Sequence, residues 1–174
     1  MKPKINLKET IRNIPDFPKP GILFYDITTL LNDKIALKYA VNELVKKFKG
    51  KKIDKVVAVE ARGFIFGGAI AHQLNAGFVP VRKKGKLPWK TNSASYALEY
   101  GTDTLYMHND AISPKDNILI VDDLLATGGT VKAVTDLVNQ LKGNIKGIAF
   151  LIELLDLKGK EKLKDYPVFS LLKY

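Results

Sequence analysis

Five short apolar runs, each closed off by turn residues, set the rhythm of the chain: "KVVAV" (55–59), "GFVPV" (77–81), "NILIV" (117–121), "IKGIAFLI" (145–152) and "VFSLL" (168–172). None alternates as a strand with one wet face would, and valine and isoleucine dominate, so they read as strands buried on both faces. "GFIFGGAIAHQLN" separates the first two runs and "TVKAVTDLVNQLKG" the third and fourth. Both have apolar residues at helical spacing and an asparagine or glycine to stop them. Two strand-helix-strand units predict an α/β fold, a mainly parallel sheet flanked by helices on both faces with right-handed crossovers. Upstream, "DKIALKYAVNELVKKFKG" (33–50) has apolar positions at 35, 37, 41, 44, 45 and 48, the spacing of an amphipathic helix packed on that sheet.

Two stretches depart from the alternation. "IPDFPKPGILFYDIT" (14–28) mixes three prolines and a glycine with aromatics and predicts an ordered irregular segment. Residues 82–110 form a long basic and polar excursion between strands, a length that in a compact domain marks function or disorder. Within it "SYALEYGTDTLYM" alternates well enough for a small antiparallel hairpin, so a flexible loop over 82–95 followed by a hood-like hairpin is expected.

Composition narrows the class. With 46% hydrophobic residues in 174, one globular domain can bury its core without staples, and the absence of cysteine removes thiolate metal sites and disulfides. The opening "MKPKINLKETIR" lacks the apolar core of a secretory signal, and no run approaches the roughly 18 apolar residues of a membrane span. A cytoplasmic protein without a membrane partner is expected. The net charge of +10 is compatible with nucleic acid or with a phosphorylated substrate, and does not choose between them. No recognised nucleic-acid motif accompanies it, so no nucleic-acid partner is expected. Only Arg12, Arg62 and Arg82 of the 28 basic residues are arginine. Arg62 and Arg82 each follow a predicted strand, where a planar fork can grip phosphate as lysine cannot.

The candidate chemistry centres on "NILIVDDLLATGGTV" (117–131). Its strand would end at the ligand-collecting edge of the sheet, bringing Asp122 and Asp123 there. "ATGGT" then supplies backbone N–H groups that can converge on an anion where a helix begins. A carboxylate pair beside such a cradle suits a sugar phosphate. The plainer alternative is that Asp123 caps a turn which the glycines merely permit. The spacing is not that of a Walker A loop, and "GFIFGG" is not a dinucleotide fingerprint.

"ILIVDDLLATGGT" resembles the motif with which type I phosphoribosyltransferases bind 5-phosphoribosyl pyrophosphate (PRPP). "PDFPKPGI", "ARGFIFG", "RKKGKLP", "ASYALEYG" and "LLDLKGKEKL" extend the likeness to the adenine-using branch over roughly residues 8 to 174. The resemblance implies a single phosphoribosyltransferase domain (1–174) with a Rossmann-like core, a hood drawn from 14–28 and 94–108, and a homodimer. It implies transfer of the 5-phosphoribosyl group from PRPP to adenine, giving AMP and pyrophosphate, with Mg2+ held through PRPP rather than directly by the protein.

Carried over residue by residue, it gives the ribose hydroxyls to Asp122 and Asp123. The 5′-phosphate goes to Ala126, Thr127, Gly128, Gly129 and Thr130, and pyrophosphate to Arg62 with the 60–62 backbone and to the loop cations Arg82, Lys83 and Lys86, from the same chain or from a partner subunit. Adenine goes to Leu23, Phe24 and Leu154. Glu99, with Arg62, becomes catalytic: it faces N7 of the base and takes the proton as N9 becomes nucleophilic. The chain departs from the family pattern at Tyr25, Tyr106 and Trp89, which bear on base affinity and loop kinetics.

Overall fold

The computed structural model describes residues 5–97 and 101–174. The chain divides into two compact units, one running to Glu43 and the other from Leu44 to Tyr174. In the first, a 3-10 turn (Leu7–Thr10) leads into β1 (Arg12–Ile14), which pairs antiparallel with β2 (Phe24–Asp26), followed by the short α1 (Thr28–Asn32). The proline-rich stretch is therefore largely irregular, as expected, but closes with a three-residue strand. Asp26 fixes the exit, its Oδ1 accepting from the Thr28 N–H at 2.9 Å and the Thr28 hydroxyl at 2.7 Å. Helix α2 (Lys34–Phe48) starts in this unit, where Asp33 Oδ1 accepts from the N–H groups of Ile35 and Ala36, and ends in the next.

The second unit is built on a seven-stranded sheet. Its strands are β3 (Lys55–Val59), β4 (Gly77–Lys83), β5 (Thr91–Ala97), β6 (Thr102–His108), β7 (Asn117–Leu125), β8 (Asn144–Glu153) and β9 (Val168–Lys173), in the order β5-β6-β4-β3-β7-β8-β9. β4, β3, β7, β8 and β9 run parallel, and they are the five apolar runs of the sequence; β5 and β6 add an antiparallel hairpin at one edge. Helix α3 (Arg62–Leu74) packs on β3, β7 and β4, and α4 (Gly129–Gln140) on β7, β8 and the hairpin.

Burial follows from this layering. Val57, Val59, Ile118, Ile120, Ile148 and Phe150 join Val131, Val134, Leu137 and Val138 of α4 in one cluster, while the intervening Val56, Ala58, Leu119, Val121, Ala149 and Leu151 are buried too. Covering both faces removes the polar alternation, and a fully buried side chain of this size contributes roughly 1.5–3 kcal/mol. The hairpin has one covered face, so β5 alternates strictly between exposed and half-buried positions. Asn75 stops α3 by taking the left-handed conformation, φ 54°.

Two boundaries differ from the expectation. β7 does not stop at Val121: its ladder with β8 continues through Asp122↔Phe150 to Leu125↔Glu153, so both aspartates are strand residues. The excursion after β4 is more ordered than expected. Arg82 and Lys83 pair with Tyr106 and Leu105, and Thr91 to Ser95 pair with His108 to Thr104, leaving 84–90 as the connecting loop.

Candidate active site

The end of β7 lies at the carboxyl edge of the parallel strands, and α3 begins at the same edge directly after β3. Arg62, the first residue of α3, places Nε 2.8 Å from Asp123 Oδ2. Asp123 is buried, and Asp122 is half-buried with Oδ1 accepting from the Asp123 N–H at 2.9 Å. A Cβ at position 63 would stand 2.7 Å from Asp122 Oδ1. Glycine at that point is what lets the first turn of α3 lie against the carboxylate.

Electrostatics at the pair are unbalanced. Burial pushes the Asp122 carboxyl well above the ordinary carboxylate range, and the Asp123 charge beside it adds to the rise. Burial raises Asp123 as well, against the pull of Arg62. Two adjacent acids raised by burial gain from a ligand that offers two neighbouring hydroxyls as donors.

Residues 126–130 connect β7 to α4. Gly128 sits at the helix N-cap with φ 78°, a conformation that favours glycine, and makes no side-chain cap. The first N–H groups of α4, from Gly129 and Thr130 onward, therefore lack intrahelical acceptors and face the side where an anion is best placed. Thr127 is exposed, and Ala126 and Thr130 are half-buried. The turn is backed by a second glycine: a Cβ on Gly159 would lie 2.8 Å from Gly128 N and 3.0 Å from the Ala126 carbonyl carbon.

Two cations at the end of β4, Arg82 and Lys83, are paired with carboxylates. Glu60, just beyond β3, takes Arg82 Nη2 at 3.1 Å and Nε at 3.3 Å on Oε2, and accepts from the Lys83 N–H at 2.6 Å on Oε1. Arg82 Nη1 also donates to the Lys86 carbonyl at 3.3 Å, and Lys83 Nζ lies 3.0 Å from Asp103 of β6. Burial works to raise the Glu60 carboxyl, but the Lys83 N–H and Arg82 outweigh it and hold it below the usual range. The hydrogen bond from Lys83 lowers Asp103 and raises the lysine in turn.

The structure thus joins Arg62 to Asp123, and Arg82 to the Lys83 N–H through Glu60 and directly to the Lys86 carbonyl. Leu154 follows β8, its N–H donating to the Leu125 carbonyl at 2.9 Å, next to the start of the 126–130 turn. Leu23 and Phe24 belong to the first unit, where Leu23 is exposed and Phe24 meets Phe17 edge-on at 5.1 Å. Glu99 lies outside the described residues. Of the departures, Tyr106 registers opposite Arg82, Tyr25 opposite Asn13, and Trp89 is exposed. Sequence reasoning missed Glu60, Asp103, Gly63 and Gly159. "EARGF" puts Glu60 two residues before Arg62, a signal that acquires meaning only when β4 lies alongside.

Comparison with known proteins adds a second line. The phosphoribosyl transferase domain model matches residues 27–173. An adenine phosphoribosyltransferase of Brachyspira hyodysenteriae is 56% identical over 170 residues, 98% of this chain and 100% of that protein. Among solved structures, the adenine phosphoribosyltransferase of Thermoanaerobacter pseudethanolicus superposes with a TM-score of 0.94 at 52% identity, covering 97% of this chain and 98% of that one. The Saccharomyces cerevisiae adenine phosphoribosyltransferase, complexed with adenine and an imino-altritol bisphosphate, gives 0.90 at 42% identity, covering 95% and 96%.

Proposed function

Because the chain belongs to the phosphoribosyl transferase family and its near full-length relatives are adenine phosphoribosyltransferases, we propose that it transfers the 5-phosphoribosyl group of PRPP to adenine, yielding AMP and pyrophosphate. The observation that carries this reading is the carboxylate pair, with Arg62 on Asp123, lying just ahead of the uncapped start of α4. It is a purine-salvage reaction of the pentosyltransferase type.

In this reading Asp122 and Asp123 accept from the two ribose hydroxyls, and the 126–130 backbone with the Thr127 and Thr130 hydroxyls holds the 5′-phosphate. As the bond from the anomeric carbon to pyrophosphate breaks, positive charge grows on the ribose and negative charge on the leaving group. Arg62, with Arg82, Lys83 and Lys86, offsets the latter. Glu99 takes the proton at N7 as N9 attacks. Phe24 stacks on the purine with Leu23 beside it, and the backbone there reads the adenine edge. Closure of the 84–90 loop excludes water from the reacting centre.

Magnesium fits as a companion of PRPP. Among the described residues no three His, Cys, Asp or Glu side chains converge as an ion site, and Asp123 already carries Arg62. A hard cation needing several oxygens is accommodated if PRPP supplies most of them, with Asp122 as the neighbouring carboxylate. When bound, it neutralises charge on the departing diphosphate.

Both units serve one phosphoribosyltransferase domain, a reading supported by a family match that crosses their division. The chain works as a homodimer; exposed Ile65 and Phe78 supply apolar surface for association, which light scattering would test. A cytoplasmic location follows from substrates whose phosphates keep them within the cell that makes them, and fractionation would test it. The reaction itself is tested by offering purified protein PRPP, magnesium and a mixture of adenine, hypoxanthine, guanine and xanthine. AMP alone is expected; another nucleotide would overturn the base assignment, and no nucleotide would overturn the reaction.

A further inference from the structure

Two separate segments bear on pyrophosphate: residues 60–62, where β3 gives way to α3, and residues 82–86, the end of β4 with the first loop residues. Glu60 is the side chain that joins them. β3 and β4 run parallel with Val59 opposite Val81, and the Glu60 N–H donates to the Val81 carbonyl at 3.0 Å, which sets Glu60 beside Arg82. Its two oxygens then divide their work. Oε2 takes Nε and Nη2 of Arg82, while Oε1 takes the Lys83 N–H. The Lys86 carbonyl receives Nη1, and the Lys86 N–H returns to the Lys83 carbonyl at 3.3 Å, so the turn is wrapped around the guanidinium.

We infer that Glu60 is a positioning residue for the diphosphate of PRPP, tying the end of β4 to the 60–62 segment so that the Arg82 guanidinium is already fixed when it meets the leaving group. This rests on the pyrophosphate reading given above. A guanidinium has five N–H hydrogens in a fixed plane. Three are spent on Glu60 and on the Lys86 carbonyl, which removes the rotational freedom of the side chain and leaves one hydrogen on each terminal nitrogen for a ligand. A long side chain bound without such a brace would have to be immobilised by the ligand itself, and that ordering cost would reduce affinity. Asp103 on β6 holds the Lys83 ammonium at 3.0 Å.

Glu60 is too far back in its own bonds to be a catalytic group: both oxygens are occupied by this chain. Its effect is exerted through Arg82 and through the Lys83 backbone. That separates it from a residue which merely supports the fold, because loss of the tie should be felt in diphosphate binding and not in adenine binding.

The test uses the full chain and four proteins: wild type, Glu60→Gln, Arg82→Gln and the double variant. Measured are KM for PRPP, KM for adenine, kcat, inhibition by pyrophosphate and Tm. Glutamine keeps an acceptor for the Lys83 N–H but loses the charge-assisted pair, so KM for PRPP and the pyrophosphate inhibition constant should rise on the order of 10-fold. KM for adenine should stay at the wild-type value, and the double variant should be no worse than Arg82→Gln alone in KM for PRPP. Glu60→Gln effects that simply add to those of Arg82→Gln, or that fall equally on adenine, would overturn the inference. So would a wild-type PRPP KM in Glu60→Gln when Arg82→Gln weakens PRPP. If Arg82→Gln itself leaves PRPP and pyrophosphate unaffected, the pyrophosphate reading falls and the tie with it.

Discussion

Substituting alanine for Gly159 should damage PRPP binding from behind the site. The added Cβ would stand 2.8 Å from Gly128 N and 3.0 Å from the Ala126 carbonyl carbon, and nearer still to the carbonyl oxygen. Ordinary contact begins near 3.4 Å, and all three atoms are backbone, so no side chain can swing away. The 126–128 turn must retreat by about 1 Å or Gly159 must be pushed out. Overpacking of this kind costs about 1–3 kcal/mol, which in a chain of this size lowers Tm by roughly 2–12 °C. Displacing a phosphate cradle by about 1 Å costs on the order of 100-fold in rate. The assay is kcat/KM for PRPP beside a calorimetric melt. A Gly159→Ala protein that melts early yet keeps its kcat/KM for PRPP would refute the retreat of a phosphate-holding 126–128 turn. Unchanged values of both would refute the steric argument.

Three further outcomes are expected. Asp122→Asn with Asp123→Asn should raise the Kd for PRPP by at least about 10-fold, measured by titration calorimetry, with the fold retained by circular dichroism. The raised Asp122 carboxyl makes a stability contribution that is complete below about pH 4 and lost as pH climbs through its folded value, so Asp122→Asn alone should gain in Tm over wild type as pH rises. A pH series of melts showing a constant difference would contradict this. Glu99→Gln should lower kcat by roughly 100-fold or more with little change in PRPP binding, and an unaltered turnover would remove Glu99 from proton transfer.

Legibility differed from one element to another for physical reasons. The parallel strands were readable because burial on both faces leaves unbroken apolar runs, and α3 and α4 because each has one covered stripe. The continuation of β7 was not, since a ladder can run on through Asp122 and Asp123 after the apolar run ends, held by main-chain groups that any residue carries. β1 and β2 are three residues each, too short for periodicity to register. Within the candidate site, the motif residues Asp122, Asp123 and Gly128 stand out by local spacing. Glu60 and Gly159 did not: one acquires its partners only when β4 lies beside β3, and the other sits in a lysine-rich stretch that reads as solvated surface.

The contact between position 63 and Asp122 Oδ1 also limits which sequences the site can reach by single steps. Any side chain at 63 must displace the carboxylate, and any longer acid at 122 must displace α3, so neither position can change first without loss. A library randomised at both should return glycine at 63 wherever aspartate is kept at 122, and admit alanine at 63 only in clones where residue 122 has been cut back and the selection for PRPP relaxed. The two positions would then covary as a unit although they are far apart in the chain, a statistical footprint of a single oxygen atom.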